Sequence, residues 1–151
     1  MKAFTSVDDI LDFAIQNEQE AVDFYASLAR EARNEEMSNV FTQFAREEMG
    51  HKSRLLAIKS TGQFDLGKEK VMDMKLADYL VDMQPHPGMT YPEALVLAMK
   101  KEKNAFRLYL DLSNKAPTPE LAGLFLSLAQ EESRHKLRFE LEYDEFVLKE
   151  F

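Results

Sequence analysis

A chain of 151 residues is long enough to bury an apolar core without disulfides, and we expect one domain spanning residues 1–151. The sequence contains no cysteine, which excludes disulfides, thiol nucleophiles and cysteine-ligated zinc or iron within it. A net charge of −8 argues against nucleic-acid and anionic-membrane partners, and because no signal peptide or membrane-length apolar run is present, we expect a cytoplasmic protein.

Start and stop signals predict two long helices in the first part of the chain. The first helix begins after Ser6, which acts as the N-cap and forms a capping box with Asp9, and it runs to about residue 34. The second helix starts around Glu35 and ends near Gly62. The short polar stretch between them predicts an antiparallel helical hairpin.

A long connection precedes a second hairpin. About 28 residues follow the second helix, with a short helix predicted at residues 74–82, and they are enough to cross the whole bundle. Thr90 and Glu93 form a capping box for the third long helix, and Pro119 starts a fourth that continues almost to Phe151. We therefore predict an all-α four-helix bundle made of two hairpins and a crossover.

The two hairpins repeat each other in sequence. The stretch "EEMGH" at 47–51 recurs as "EESRH" at 131–135, and the same offset of 84 residues relates Tyr25 to Tyr109 without a gap. This predicts a pseudo-twofold relation between the hairpins.

Acidic side chains and histidines interrupt the apolar seams of these helices. Residues three and four apart share one helix face. On the core-facing sides of the four helices, six polar residues fall at one level of the bundle. They are Glu18, Glu48, His51, Glu102, Glu132 and His135. Four buried carboxylates would repel one another, whereas two divalent cations would neutralise them. Two helices with Glu and two with Glu-x-x-His form the ligand set of di-metal carboxylate bundles, and oxygen-rich ligation suits iron or manganese.

These residues resemble those of the rubrerythrin-like, ferritin-like di-iron proteins over roughly residues 6–150. The resemblance implies a ferritin-like fold and two iron ions per protomer, with manganese or zinc as alternative metals. It assigns terminal carboxylates to Glu18 and Glu102, bridging carboxylates to Glu48 and Glu132, and one nitrogen ligand per iron to His51 and His135. It also implies that Tyr25 and Tyr109 hydrogen-bond the ligand carboxylates; ordinary core packing is the alternative for these tyrosines.

The resemblance implies an oxidoreductase of peroxidase or oxidase type that reacts with hydrogen peroxide or dioxygen in oxidative stress. A separate electron donor, such as a rubredoxin or a flavin reductase, is expected because this sequence has no cysteine-ligated iron, and we expect a homodimer. In place of the extra glutamate that rubrerythrins usually carry after the third-helix ligand, this chain has Ala105. The alternatives are a ferroxidase or iron-handling protein, and a non-enzymatic helical interaction module stapled by metal.

Other polar residues near the seams have two interpretations. Glu47 and Glu131 would either orient the histidine rings or lie on a solvated helix face, and the solvated face is preferred. Glu142 falls on the seam near a helix end and is expected to be solvated, and His86 is expected in a surface loop.

Overall fold

The computed structural model describes residues 3–62 and 64–150, and this part of the chain contains helices and loops but no β-strand. The helices are α1 (Val7–Glu31), α2 (Glu35–Thr61), α3 (Lys68–Asp73), α4 (Tyr91–Lys115) and α5 (Pro119–Glu150), with a 3-10 turn at Leu76–Tyr79. The all-α prediction is confirmed, and the predicted end near Phe151 falls at the border of the described residues. Among those residues, no helix is both long and apolar enough to cross a membrane.

Side-chain caps fix the helix starts. The Ser6 side chain accepts a hydrogen bond from the Asp9 backbone N–H at 3.1 Å, while the Asp9 carboxylate accepts from the backbone N–H of Thr5. In the predicted capping box the Asp9 carboxylate would accept from the backbone N–H of Ser6. It accepts instead from Thr5, one residue earlier. At α4 the predicted box is complete, since Thr90 and Glu93 each accept from the other's backbone N–H.

The connection between the hairpins differs from its prediction. The short helix α3 precedes residues 74–82, and within that stretch only the 3-10 turn forms. Tertiary contacts explain the difference, because Asn104 of α4 donates to the Leu80 carbonyl at 2.7 Å and the Tyr79 hydroxyl donates to Asp111 at 2.6 Å. Contacts with α4 thus hold this segment, and only the 3-10 turn keeps helical hydrogen bonding within it.

The bundle core has an apolar cluster on each side of a polar middle level. One cluster includes Ile10, Leu55 and Phe125, and the other includes Phe41 and Phe139, all fully buried. α1 packs along α2 and α4 along α5, whereas α1 and α4 meet at few positions. The packing within each hairpin is therefore closer than the packing between the two hairpins.

Candidate metal centre

The six polar residues selected from the sequence lie together in the core. Glu18 comes from α1, Glu102 from α4, and the two Glu-x-x-His pairs come from α2 and α5. Each of the six is at most 2% exposed. Such burial of charged side chains is unfavourable unless another group neutralises them.

Glu48 and Glu132 lie at the centre of the cluster. Two groups of four residues each offer ligand atoms that lie within 4.8 Å of one another, and both groups contain Glu48 and Glu132. One group adds Glu18 and His51, and the other adds Glu102 and His135. The arrangement can hold two neighbouring metal ions that share two carboxylates.

Both histidines turn the same ring nitrogen toward these carboxylates. His51 Nδ1 lies 2.9 Å from Glu132 and 3.4 Å from Glu48, and His135 Nδ1 lies 3.2 Å from Glu48 and 3.7 Å from Glu102. The two imidazole rings are nearly parallel, with 10° between their planes and 6.3 Å between their centroids. One imidazole therefore stands on each side of the shared carboxylates.

Ligand atoms in the cluster lack hydrogen-bond partners within the described part of the chain. They are Glu18 Oε2, Glu48 Oε1, Glu102 Oε2, Glu132 Oε1 and Nδ1 of both histidines, together with His51 Nε2. Buried polar atoms are normally satisfied, so a concentration of unsatisfied oxygen and nitrogen atoms indicates a missing partner. Four carboxylates and two imidazoles are a donor set that fits two divalent cations.

Without metal, the cluster must be neutralised by protons. Burial and the charge of neighbouring Glu48 raise the pKa of Glu18, and burial with repulsion from other carboxylates raises the pKa of Glu132 and of Glu102. Burial lowers the pKa of His135, but the carboxylates of Glu102 and Glu48 outweigh it and raise the pKa to about 10. Metal binding should therefore displace protons from the site.

Two tyrosines connect the hairpins through these carboxylates. The Tyr109 hydroxyl on α4 donates to Glu18 on α1 at 2.6 Å, and the Tyr25 hydroxyl on α1 donates to Glu102 on α4. Both tyrosines are at most 1% exposed. Each tyrosine thus orients the glutamate of the opposite hairpin, so their position is more than ordinary core packing.

Glu47 and Glu131 contact the histidines, so the preferred interpretation of a solvated face was wrong. Glu47 lies 3.2 Å from His135 Nε2, and Glu131 lies 3.3 Å from His51 Nε2, although this second pair lacks hydrogen-bond geometry. Each carboxylate reaches the ring on the other long helix, where the free nitrogen faces outward. Their recurrence in the sequence repeat was the available signal.

The side of the site between α2 and α5 is closed by ion pairs and an aromatic ring. Arg54 lies 3.2 Å from Glu131, and Arg134 lies 3.5 Å from Glu47. The ring of Phe44 stacks on His135 with centroids 4.0 Å apart. These contacts cover the outer edges of the two imidazoles.

The opposite side of the site borders a cavity. This cavity of about 270 Å³ lies between α1 and α4 and reaches all four carboxylates of the cluster, while neither histidine lines it. Ala21 and Ala105, each one helical turn beyond its glutamate, form part of its wall. The cavity therefore provides space next to the carboxylate face of the cluster.

Glu142 and His86 have different surroundings. Glu142 was predicted to be solvated, which was wrong, because it is fully buried and accepts hydrogen bonds from Arg33 at 2.8 and 2.9 Å and from the Tyr91 hydroxyl at 2.8 Å. Arg33, from the α1–α2 loop, neutralises it. His86 lies exposed in the connection before α4, as predicted.

Fold and site together define a ferritin-like helical bundle with a buried Glu/His cluster suited to metal. The family model described as Rubrerythrin matches residues 9–84 and 93–150, which is most of the chain, so the protein belongs to the rubrerythrin family. The family typically binds a di-iron centre. No curated protein and no solved structure matched the chain.

Proposed function

We propose that this protein is a di-iron oxidoreductase that reduces hydrogen peroxide, or reacts with dioxygen, using electrons from a separate donor. The observation that supports it most is the pair of ligand groups sharing Glu48 and Glu132. A shared pair of carboxylates would keep two ions close together, so that each could give one electron to the same oxidant. We propose iron as the metal, with two ions per protomer.

In the proposed site, Glu18 and His51 would complete one ion's ligands, and Glu102 and His135 the other's. Coordination through Nδ1 would leave Nε2–H of His135 to donate to Glu47, and this hydrogen bond would fix the tautomer and the ring orientation. The tyrosine hydroxyls hold the carboxylates of Glu18 and Glu102 in place.

Two bound Fe(II) ions would supply the two electrons that reduce one hydrogen peroxide to water. The chain's own residues exclude water on the α2–α5 side through Phe44 and the ion pairs at Glu47 and Glu131. On the α1–α4 side the cavity admits the oxidant to the carboxylate face. An accessible site of this kind favours reactivity over a purely structural metal staple, whose coordination would be closed.

Regeneration of the ferrous site needs two electrons from outside the chain. The sequence has no cysteine to ligate an iron–sulfur or rubredoxin-type centre. We therefore expect one rapid oxidation by peroxide and continued turnover only with a donor such as a rubredoxin or a flavin reductase.

Anaerobic loading with Fe(II), followed by parallel stopped-flow mixing with H2O2 and O2, tests the function. We expect the protein to bind about two irons per protomer. One equivalent of peroxide should then oxidise the bound Fe(II) within seconds. The double variant His51→Ala/His135→Ala should lose metal, while His86→Ala, at an exposed histidine, should keep it. A protein that holds two irons but resists both oxidants would contradict the proposal, and oxidation followed by Fe(III) release would indicate iron handling instead.

A further inference from the structure

The cavity between α1 and α4 is larger than the small oxidants need. A cavity holds one water with roughly 10–15 Å³ of accessible space, whereas this one offers about 270 Å³. Two metal ions at its floor would take only part of that volume. It is nevertheless smaller than the roughly 300–1,000 Å³ of sites for drug-sized ligands. Its size therefore fits a small organic molecule.

The cavity wall combines apolar and polar side chains. Phe13, Ala21 and Ala105 contribute carbon surface, and Leu80 and Val81 of the crossover add more. Polar lining residues include amides and one oppositely charged pair: Gln16, Asn17, Gln84, Asn104, Glu20 and Lys101. Glu20 and Lys101 balance each other, and two divalent ions would balance the four cluster carboxylates that also line the cavity. Such a lining suits a neutral ligand with an apolar body.

The crossover segment lies over the cavity and is anchored to α4. Tyr79 donates to Asp111 at 2.6 Å, Asn104 donates to the Leu80 carbonyl at 2.7 Å, and Lys100 lies 2.9 Å from Asp82. These contacts fix the position of Leu80 and Val81 relative to the carboxylates. The crossover residues that bound the cavity are thus held in place by contacts with α4.

We propose that this cavity is a binding site for short-chain alkyl hydroperoxides, which the metal centre reduces in addition to hydrogen peroxide, and that Ala105 and Val81 set the size limit. This inference rests on the proposed function. The hydroperoxide group would reach the carboxylate face, and the alkyl group would lie against Phe13 and the crossover. Two electrons from the two Fe(II) ions and two protons from water convert ROOH into ROH and H2O, with cleavage of the O–O bond and formation of two Fe(III).

Ala105→Leu adds bulk to the cavity wall, and Ala26→Leu is a matched control on α1 at a partly buried position outside the cavity. In the di-Fe(II) form we expect Ala105→Leu to lower the ratio of the oxidation rate with tert-butyl hydroperoxide to that with H2O2 by about tenfold, about 1.4 kcal/mol. Ala26→Leu should leave the ratio unchanged. Val81→Ala removes bulk, so it should raise the ratio. Equal ratios in the wild type and in both cavity variants would overturn the proposal.

A binding measurement separates the cavity from the reaction. Acetate and azide titrated into the Co(II)-loaded protein report, through the visible cobalt spectrum, whether small ligands reach the metals. Ala105→Leu should weaken acetate binding about tenfold more than azide binding, with the cobalt stoichiometry unchanged. If wild type resists both peroxides while acetate binding still depends on residue 105, the proposed function fails and the cavity stands as a binding site without hydroperoxide reduction. If neither ligand discriminates among the variants, the cavity assignment fails by itself.

Discussion

The metal-free protein should lose stability as the pH rises from 7 to 8.5. The pKa of His135 is raised from 6.5 to about 10 in the folded protein, so its stabilising contribution is complete below pH 6.5 and is lost as the pH rises toward 10. The raised pKa values of Glu18 and Glu132 act in the same direction. Burial lowers the pKa of His51, so the opposing contribution of this histidine falls mainly below pH 7 and is small between pH 7 and 8.5.

The size of the effect follows from one proton. Within this window the folded state holds about one more proton at His135 than the unfolded state, which changes the free energy of unfolding by about 1.4 kcal/mol per pH unit. From pH 7 to 8.5 the loss is about 2 kcal/mol, or roughly 4–8 °C in Tm for a chain of this length. Carboxylates that release protons in the same window add to this loss.

Thermal unfolding of the chelator-treated protein at half-unit pH steps, with and without added divalent metal, measures this dependence. In the metal-loaded protein the cations replace the protons, so the increase in Tm caused by metal should grow with pH. His135→Gln should flatten the metal-free profile, and His86→Gln, in the exposed connection, should not. A metal-free Tm that stays constant or rises between pH 7 and 8.5 would refute the reasoning.

Three further substitutions test contacts around the site. Tyr109→Phe should weaken metal binding at least tenfold in a competition with a chromophoric chelator. The control Tyr79→Phe, which breaks a contact of the crossover, should not. Equal metal affinities of the wild type and Tyr109→Phe would show that Tyr109 does not support the metal site. Glu47→Gln should also weaken metal binding by about tenfold, because the His135 ring loses a charged acceptor. Unchanged metal affinity would show that Glu47 does not support the metal site. Arg33→Ala should lower the free energy of unfolding by about 3 kcal/mol in urea, since it leaves Glu142 buried without its cation, and should keep the metal stoichiometry; a loss below about 1 kcal/mol would contradict this role.

The helices and the six cluster residues were predictable because both depend on local geometry. A step of three or four residues places side chains on one helix face whatever surrounds it, so Glu48 and His51 had to share a face once α2 formed. The offset of 84 residues then applied the same reasoning to α5. Caps at Ser6 and Thr90 likewise act within a few residues of themselves.

Contacts between helices were harder to predict because they depend on how the hairpins rotate against each other. Glu47 sits next to a cluster residue on its own helix, yet its partner is His135 on α5, which no spacing along α2 reveals. Glu142 was misjudged for a similar reason, since Arg33 comes from a loop more than 100 residues earlier. The 3-10 turn at Leu76–Tyr79 also reflects contacts with α4 rather than its own sequence pattern.

The sequence repeat makes the cluster symmetric, whereas access to it is not. On the α2–α5 side, the repeated residues Glu47 and Glu131 lie against opposite imidazoles, one from each hairpin. On the α1–α4 side, the roof comes from the crossover, which occurs once in the chain and therefore has no counterpart in the other half. The two ions would thus have equivalent ligands, but they would share one cavity, whose crossover lining is held by α4. Selection among oxidants is consequently expected to depend on the crossover and Ala105, while metal affinity depends on the repeated residues, and substitutions in the two sets should separate these properties.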